Sequence, residues 1–159
     1  MGQPDMKLPA KLKGCRGVVL DTMVWIYLLE DHPEYGAVSE WLLLRAEAGD
    51  FAGLVTPISM AEIIVKPLRN RRPDLADRYR LALRNAANIT VCDFTWQTGA
   101  LAGALRAKHG LPLPDMFQVA CAMEHGGVLV TNDAALRKID DIHVVCLSDL
   151  NGLSPRKIN

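Results

Sequence analysis

Four carboxylates stand where chemistry could gather. Asp21 directly follows the apolar run 17–20, and Glu62 lies in a helical stretch after the run 51–56. Asp115 opens a helical stretch ahead of the run 128–130, and Asp133 follows that run with two residues between. Singly, each has an ordinary account. Acids after strands are commonplace, and helix N-termini favour Asp through the dipole. Together they are a different matter, because packed like charges raise one another's pKa and cost stability unless a cation neutralises them. Mg²⁺ and Mn²⁺ take oxygen ligands, keep several waters and need no Cys or His. Such an ion activates water and stabilises the oxyanions of an in-line phosphoryl displacement. The chemistry indicated is metal-dependent phosphoester hydrolysis.

A phosphate-binding surface would complement it. The 159 residues carry 18 Lys+Arg and 18 Asp+Glu, so the net charge is zero. The charge is unevenly spread: residues 69–84 hold six arginines, Arg69, Arg71, Arg72, Arg78, Arg80 and Arg84. Arg forms bidentate contacts with phosphate, although a run of this kind also suits a solvated helical face.

The elements that must position these residues alternate. Short apolar runs at 17–20, 51–56, 89–92, 128–130 and 143–146 read as buried strands. Helical spacing fills 24–31, 36–48, 57–70, 74–87, 95–109 and the stretch from Pro114 to His125, with a short helix at 134–138. Near-continuous apolar strands alternating with helices predict a parallel sheet covered on both faces. In such sheets ligands bind outside the carboxyl ends of the strands, where these acids fall.

Composition closes off other classes. Hydrophobic residues make up 50%, enough for a core and too many for a disordered chain. No apolar run approaches the ~18 residues of a membrane span, so no membrane role is expected. The start lacks the apolar region of a signal peptide, and Met6 breaks the myristoylation pattern. Cys15, Cys92, Cys121 and Cys146 are scattered without a CxxC pair. The last three lie in apolar runs and read as core residues in a reducing compartment. No P-loop or GxGxxG occurs. Ser59 has no GxSxG around it and reads as a helix cap, with Glu62 as its S-x-x-E partner. Trp25 and Trp41 fit core stripes, and the four histidines read as surface or helix-end residues.

The segments GVVLDTMVWIYLLE, SMAEIIVKPL and LPLPDMFQVACAMEHGGVLVTND, in that order and spacing, resemble a PIN-domain ribonuclease. More narrowly they resemble the VapC-type toxins of toxin–antitoxin modules. The resemblance spans about residues 17–147 and implies a three-layer α/β/α sandwich with a five-stranded parallel sheet of order 3-2-1-4-5. It places the family's acidic quartet on Asp21, Glu62, Asp115 and Asp133 and its hydroxyl on Thr131. It implies a cytoplasmic Mg²⁺- or Mn²⁺-dependent endoribonuclease acting on RNA, a homodimer and an antitoxin protein partner. Arg69, Arg71, Arg72, Arg78 and Arg80 become candidate RNA-backbone contacts. The expected organisation is a basic extension at 1–16, a nuclease domain at 17–150 and a tail at 151–159. Two positions depart from the family pattern. Met23 replaces a small polar residue, and Gln118 stands where some PIN nucleases carry a further acid, which weakens a second metal site.

Two other classes compete. A non-catalytic PIN-like module would hold RNA or protein, but it has no need of all four acids. A receiver-like phospho-acceptor would use Asp93 after strand three, yet needs a Lys after strand five, where the chain reads Leu147-Ser148-Asp149.

Overall fold

The structure is a computed structural model that describes residues 7–150. The tail expected at 151–159 and the first six residues of the basic extension lie outside the described residues.

Five strands, β1 (Val18–Leu20), β2 (Gly53–Val55), β3 (Ile89–Val91), β4 (Val128–Thr131) and β5 (His143–Cys146), form one sheet of order β3-β2-β1-β4-β5. Every pairing is parallel, as continuous apolar runs require. Between them run α1 (Thr22–Leu29), α2 (Gly36–Glu47), α3 (Pro57–Arg69), α4 (Pro73–Asn85), α5 (Trp96–His109) and α6 (Leu113–Glu124). A 3-10 turn at Ala134–Lys138 precedes β5, and the short α7 (Leu147–Leu150) follows it.

Strand side chains alternate between two cores, as the pleat dictates. Val18, Leu20, Val55, Val128 and Val130 pack with Val24, Trp25, Val38, Leu42, Ile63 and Leu83 on one face. Val19, Leu54 and Leu129 pack with Ala102, Leu105, Met116 and Val119 on the other. This is the three-layer sandwich. Leu8 and Leu12, inside the segment set apart as a basic extension, are buried in the first core. Cys92, Cys121 and Cys146 are buried as free thiols, as their apolar runs indicate.

The boundaries differ from the sequence expectation in a few places. The second strand is shorter than 51–56, because Thr56 leaves the ladder to cap α3. Pro73 starts α4 rather than separating two helices, and Pro114 lies inside the first turn of α6. Both suit proline, whose missing N–H is not needed there. Thr131 belongs to β4, and α7 is a helix that apolar periodicity over four residues does not reveal.

One close backbone approach holds the edge of the sheet opposite the acids. A Cβ on Gly126 would press on the Gly17 carbonyl and stand 2.8 Å from Cys15 Sγ. Backbone cannot rotate away as a side chain can. Gly126→Ala is therefore expected to destabilise by about 1–3 kcal/mol, a fall of roughly 3–10 °C in a thermal melt. An unchanged Tm would show that the contact yields freely.

Candidate active site

The carboxyl ends of β1 and β4 lie side by side, with Leu20 in register with Val130. The residues that follow are thereby forced together. The Asp21 amide donates to the Val130 carbonyl at 2.9 Å. Asp21 is also the N-cap of α1, and its Oδ1 accepts from the Thr22 amide at 2.8 Å. Its Oδ2 accepts from Thr131 Oγ1 at 2.7 Å. That hydroxyl in turn accepts from the Asp133 amide at 3.1 Å. Asp133 then caps the 3-10 turn through Ala135 N at 2.9 Å. Strand pairing and two caps thus join Asp21, Thr131 and Asp133.

Beneath Asp21 lies a buried polar network that the sequence reading did not find. Gln118 Nε2 donates to Asp21 Oδ1 at 3.3 Å and to Ser59 Oγ at 3.0 Å. Gln118 Oε1 accepts from Thr56 Oγ1 at 2.7 Å. Ser59 Oγ also lies 2.9 Å from Thr22 Oγ1. Thr22, Thr56, Ser59, Gln118 and Thr131 are all buried. Buried polar groups cost stability unless satisfied, and these satisfy one another. The expected Ser59 cap is corrected here: Thr56 is the N-cap of α3 and accepts from Ser59 N at 3.3 Å. Ser59 sits inside the first turn, so Glu62 is not a capping-box partner and its carboxylate has no local cap to serve.

Three of the four carboxylates have raised pKa values. Burial raises the pKa of Asp21 against the pull of its hydrogen bonds to Thr131, Thr22 and Gln118, and the Asp133 charge adds to the rise. Partial desolvation raises Glu62, and the charge of Asp21 adds to it. Asp115, in the first turn of α6, is pushed up to about 6 by desolvation and then by the charges of Asp21, Asp133 and Glu62. No base is among the groups that shift them. The missing element is positive charge. Among the described residues, no three of these acids bring ligand oxygens within 4.8 Å of one another. The donor set, carboxylate oxygens without thiolate or imidazole, suits a hard divalent ion that keeps waters in its shell.

Two tighter clusters lie elsewhere. His109, Asp140 and Asp141 are drawn together with Lys108, whose Nζ is 3.0 Å from Asp141, so their charge is already offset. Cys92 and Cys121 bring their sulfurs to 2.6 Å with His125 beside them. Burial holds both thiols protonated, raising each above the ordinary range, which suits core residues rather than thiolate ligands.

The five candidate RNA-contacting arginines are all exposed on α3, α4 and the turn between them. Arg72 is bonded by Nε and Nη2 to Asp74 at 2.9 and 2.8 Å, and Arg80 pairs with Asp77 at 3.2 Å. Arg69, Arg71 and Arg78 make no ion pair among the described residues.

A PIN domain family model matches residues 18–142. Three solved structures share the fold. One is VapBC2 from Rickettsia felis bound to a DNA fragment from their promoter, with 18% identity over 82% of this chain and 98% of that chain and a TM-score of 0.66. A toxin–antitoxin complex from Klebsiella pneumoniae shows 23% identity over 82% and 97%, TM-score 0.63. DNA-bound VapBC from Salmonella typhimurium shows 19% identity over 83% and 98%, TM-score 0.63. No curated protein matches the chain by sequence.

Proposed function

The chain belongs to the PIN domain family, and from that premise we propose that it is a VapC-like, divalent-metal-dependent endoribonuclease, the toxin of a toxin–antitoxin pair. The observation that carries the reading is Asp115, whose carboxyl is raised by the charges of Asp21, Asp133 and Glu62 with no cation among its neighbours, at the carboxyl edge of the sheet. Asp21, Asp115 and Asp133 would hold Mg²⁺ or Mn²⁺. The bound ion supplies Lewis acidity toward the scissile phosphate and lowers the pKa of water. Glu62 serves as a ligand or as the base that orients the attacking water. Its raised pKa favours accepting a proton. Thr131 fixes Asp21 and Asp133 relative to each other. Hydrolysis leaves a 5′-phosphate and a 3′-hydroxyl.

The substrate strand has a route away from the acids. Glu62, Lys66 and Arg69 lie at i, i+4 and i+7 on one face of α3; Lys66 is paired with Glu30 at 2.9 Å, so the cation this face offers is Arg69, roughly 10 Å along the helix from Glu62. Arg71, Arg72, Arg78 and Arg80 extend it as sequence-independent backbone contacts. The structural neighbours support an antitoxin partner, since they are toxin–antitoxin complexes. A homodimer acting on cytoplasmic RNA belongs to the same reading. Among the described residues no helix is long and apolar enough to cross a membrane.

The test is 5′-end mapping of total RNA after inducing the wild type and Asp115→Ala in a bacterial host. New ends at one or a few sites, present only with the wild type, are expected. Identical ends in both would defeat the reading.

A further inference from the structure

Gln118 stands one turn beyond Asp115 on α6, and its amide is fully used. Its Nε2 hydrogens go to Asp21 Oδ1 and Ser59 Oγ, and its Oε1 accepts from Thr56. At 1% exposure it has no water to turn to. The orientation is fixed chemically, because a flipped amide would set its oxygen against the Asp21 carboxylate and leave Thr56 facing an N–H.

Two consequences follow for the acids. Asp21 Oδ1 already accepts twice, from Thr22 N and Gln118, while Oδ2 accepts once, from Thr131. A carboxylate offers about four acceptor sites, so one remains open, on Oδ2. The Gln118–Ser59 bond also ties α6 to α3. Asp115 lies three residues before Gln118 and Glu62 three residues after Ser59. The tie therefore sits one turn from each outer carboxylate and sets the spacing between them.

We infer that Gln118 is a positioning residue that aims Asp21 and spaces Glu62 from Asp115. The inference rests on the metallonuclease reading above. An apolar side chain at 118 would donate to neither Asp21 nor Ser59.

The test is calorimetric titration of the full chain with Mn²⁺ alone, comparing wild type, Gln118→Met and Ser59→Ala, each with its own thermal melt. The wild type should bind one Mn²⁺. Gln118→Met keeps length but loses both donors, and should bind one ion about 10–100-fold more weakly, the loss typical when a ligand's hydrogen-bonding partner is removed. Ser59→Ala cuts the tie between helices and should weaken binding in the same direction, which carries the comparison if the Met variant does not fold. Wild-type affinity in both Gln118→Met and Ser59→Ala would overturn the positioning role. Absence of any Mn²⁺ binding by the wild type would instead remove the metallonuclease reading and this inference with it.

Discussion

Asp21→Asn should lower RNA cleavage by about a thousandfold, while making the metal-free protein harder to unfold at neutral pH. The first effect follows from its place at the centre of the acids. Losing a partner of a metal ligand costs about 10–100-fold in affinity or activity, and losing the ligand's charge should exceed that. The second follows from burial. Asp21 is 6% exposed, and burial raises its pKa more than its hydrogen bonds lower it. A carboxyl with a raised folded pKa contributes stability that is present below its unfolded value and lost as pH rises through the folded one. At pH 7 the unfolded chain carries this carboxyl ionised, and the fold penalises that form; the group therefore opposes folding, and an uncharged amide does not. Asn still accepts from the Thr22 amide, and the Thr131 hydroxyl can rotate to meet its N–H. Single-turnover cleavage and a thermal melt in chelator together check the pair. Retained cleavage would remove Asp21 from the machinery. A lower Tm would mean that the hydrogen bonds outweigh the buried charge.

Such opposed effects separate a functional residue from a packing residue, and the same division governs what the sequence can disclose. Asp21 and Asp133 are legible because an apolar run ending in an acid marks a strand edge. The sheet itself is legible because strands covered on both faces leave continuous apolar runs, as at Val18–Leu20 and Val128–Val130. Trp25 reads as core from helical spacing and is 1% exposed. Gln118 is a different case. The resemblance marks its position one turn beyond Asp115 but not its contacts, because its partners Thr56 and Ser59 lie 62 and 59 positions away. Only the docking of α6 against α3 makes it part of the site. The Cys92–Cys121 contact is hidden for the same reason, since it bridges 29 positions. The arginine segment shows the converse. Its charge is plain in the sequence, but local pairing commits Arg72 and Arg80 to Asp74 and Asp77, which composition does not reveal. Local patterns expose what lies along one element, and pairings between elements stay silent until the fold supplies them.

Lowering the pH from 7 to 5 should weaken Mn²⁺ binding about tenfold or more and, with metal removed, raise the melting temperature. Both shifts have one origin. The Asp115 pKa is pushed up to about 6, by desolvation first and by Asp21, Asp133 and Glu62 after it. A ligand must be deprotonated to hold the ion, so a single group at about 6 costs roughly tenfold over that interval, and the raised Asp21 and Glu62 can only steepen it. For stability the sign runs the other way. Asp115 favours the fold most when protonated, below about pH 4, and that contribution is lost as pH climbs through about 6; Asp21 and Glu62 are raised and act in the same direction. The opposite contributions do not interfere in this window. Asp74 is lowered to about 2 by its Arg72 bond, and Asp141 is lowered by His109 and Lys108, so both are ionised, folded or unfolded, above pH 5. Saturating Mn²⁺ at pH 7 should restore the stability that the repelling acids remove. Asp115→Asn should flatten both dependences, because it removes the group that titrates in the window and one charge from its neighbours. A Mn²⁺ affinity that stays level from pH 7 to 5 in the wild type would place Asp115 outside the cation's coordination and return it to the ordinary role of an acid in the first turn of a helix.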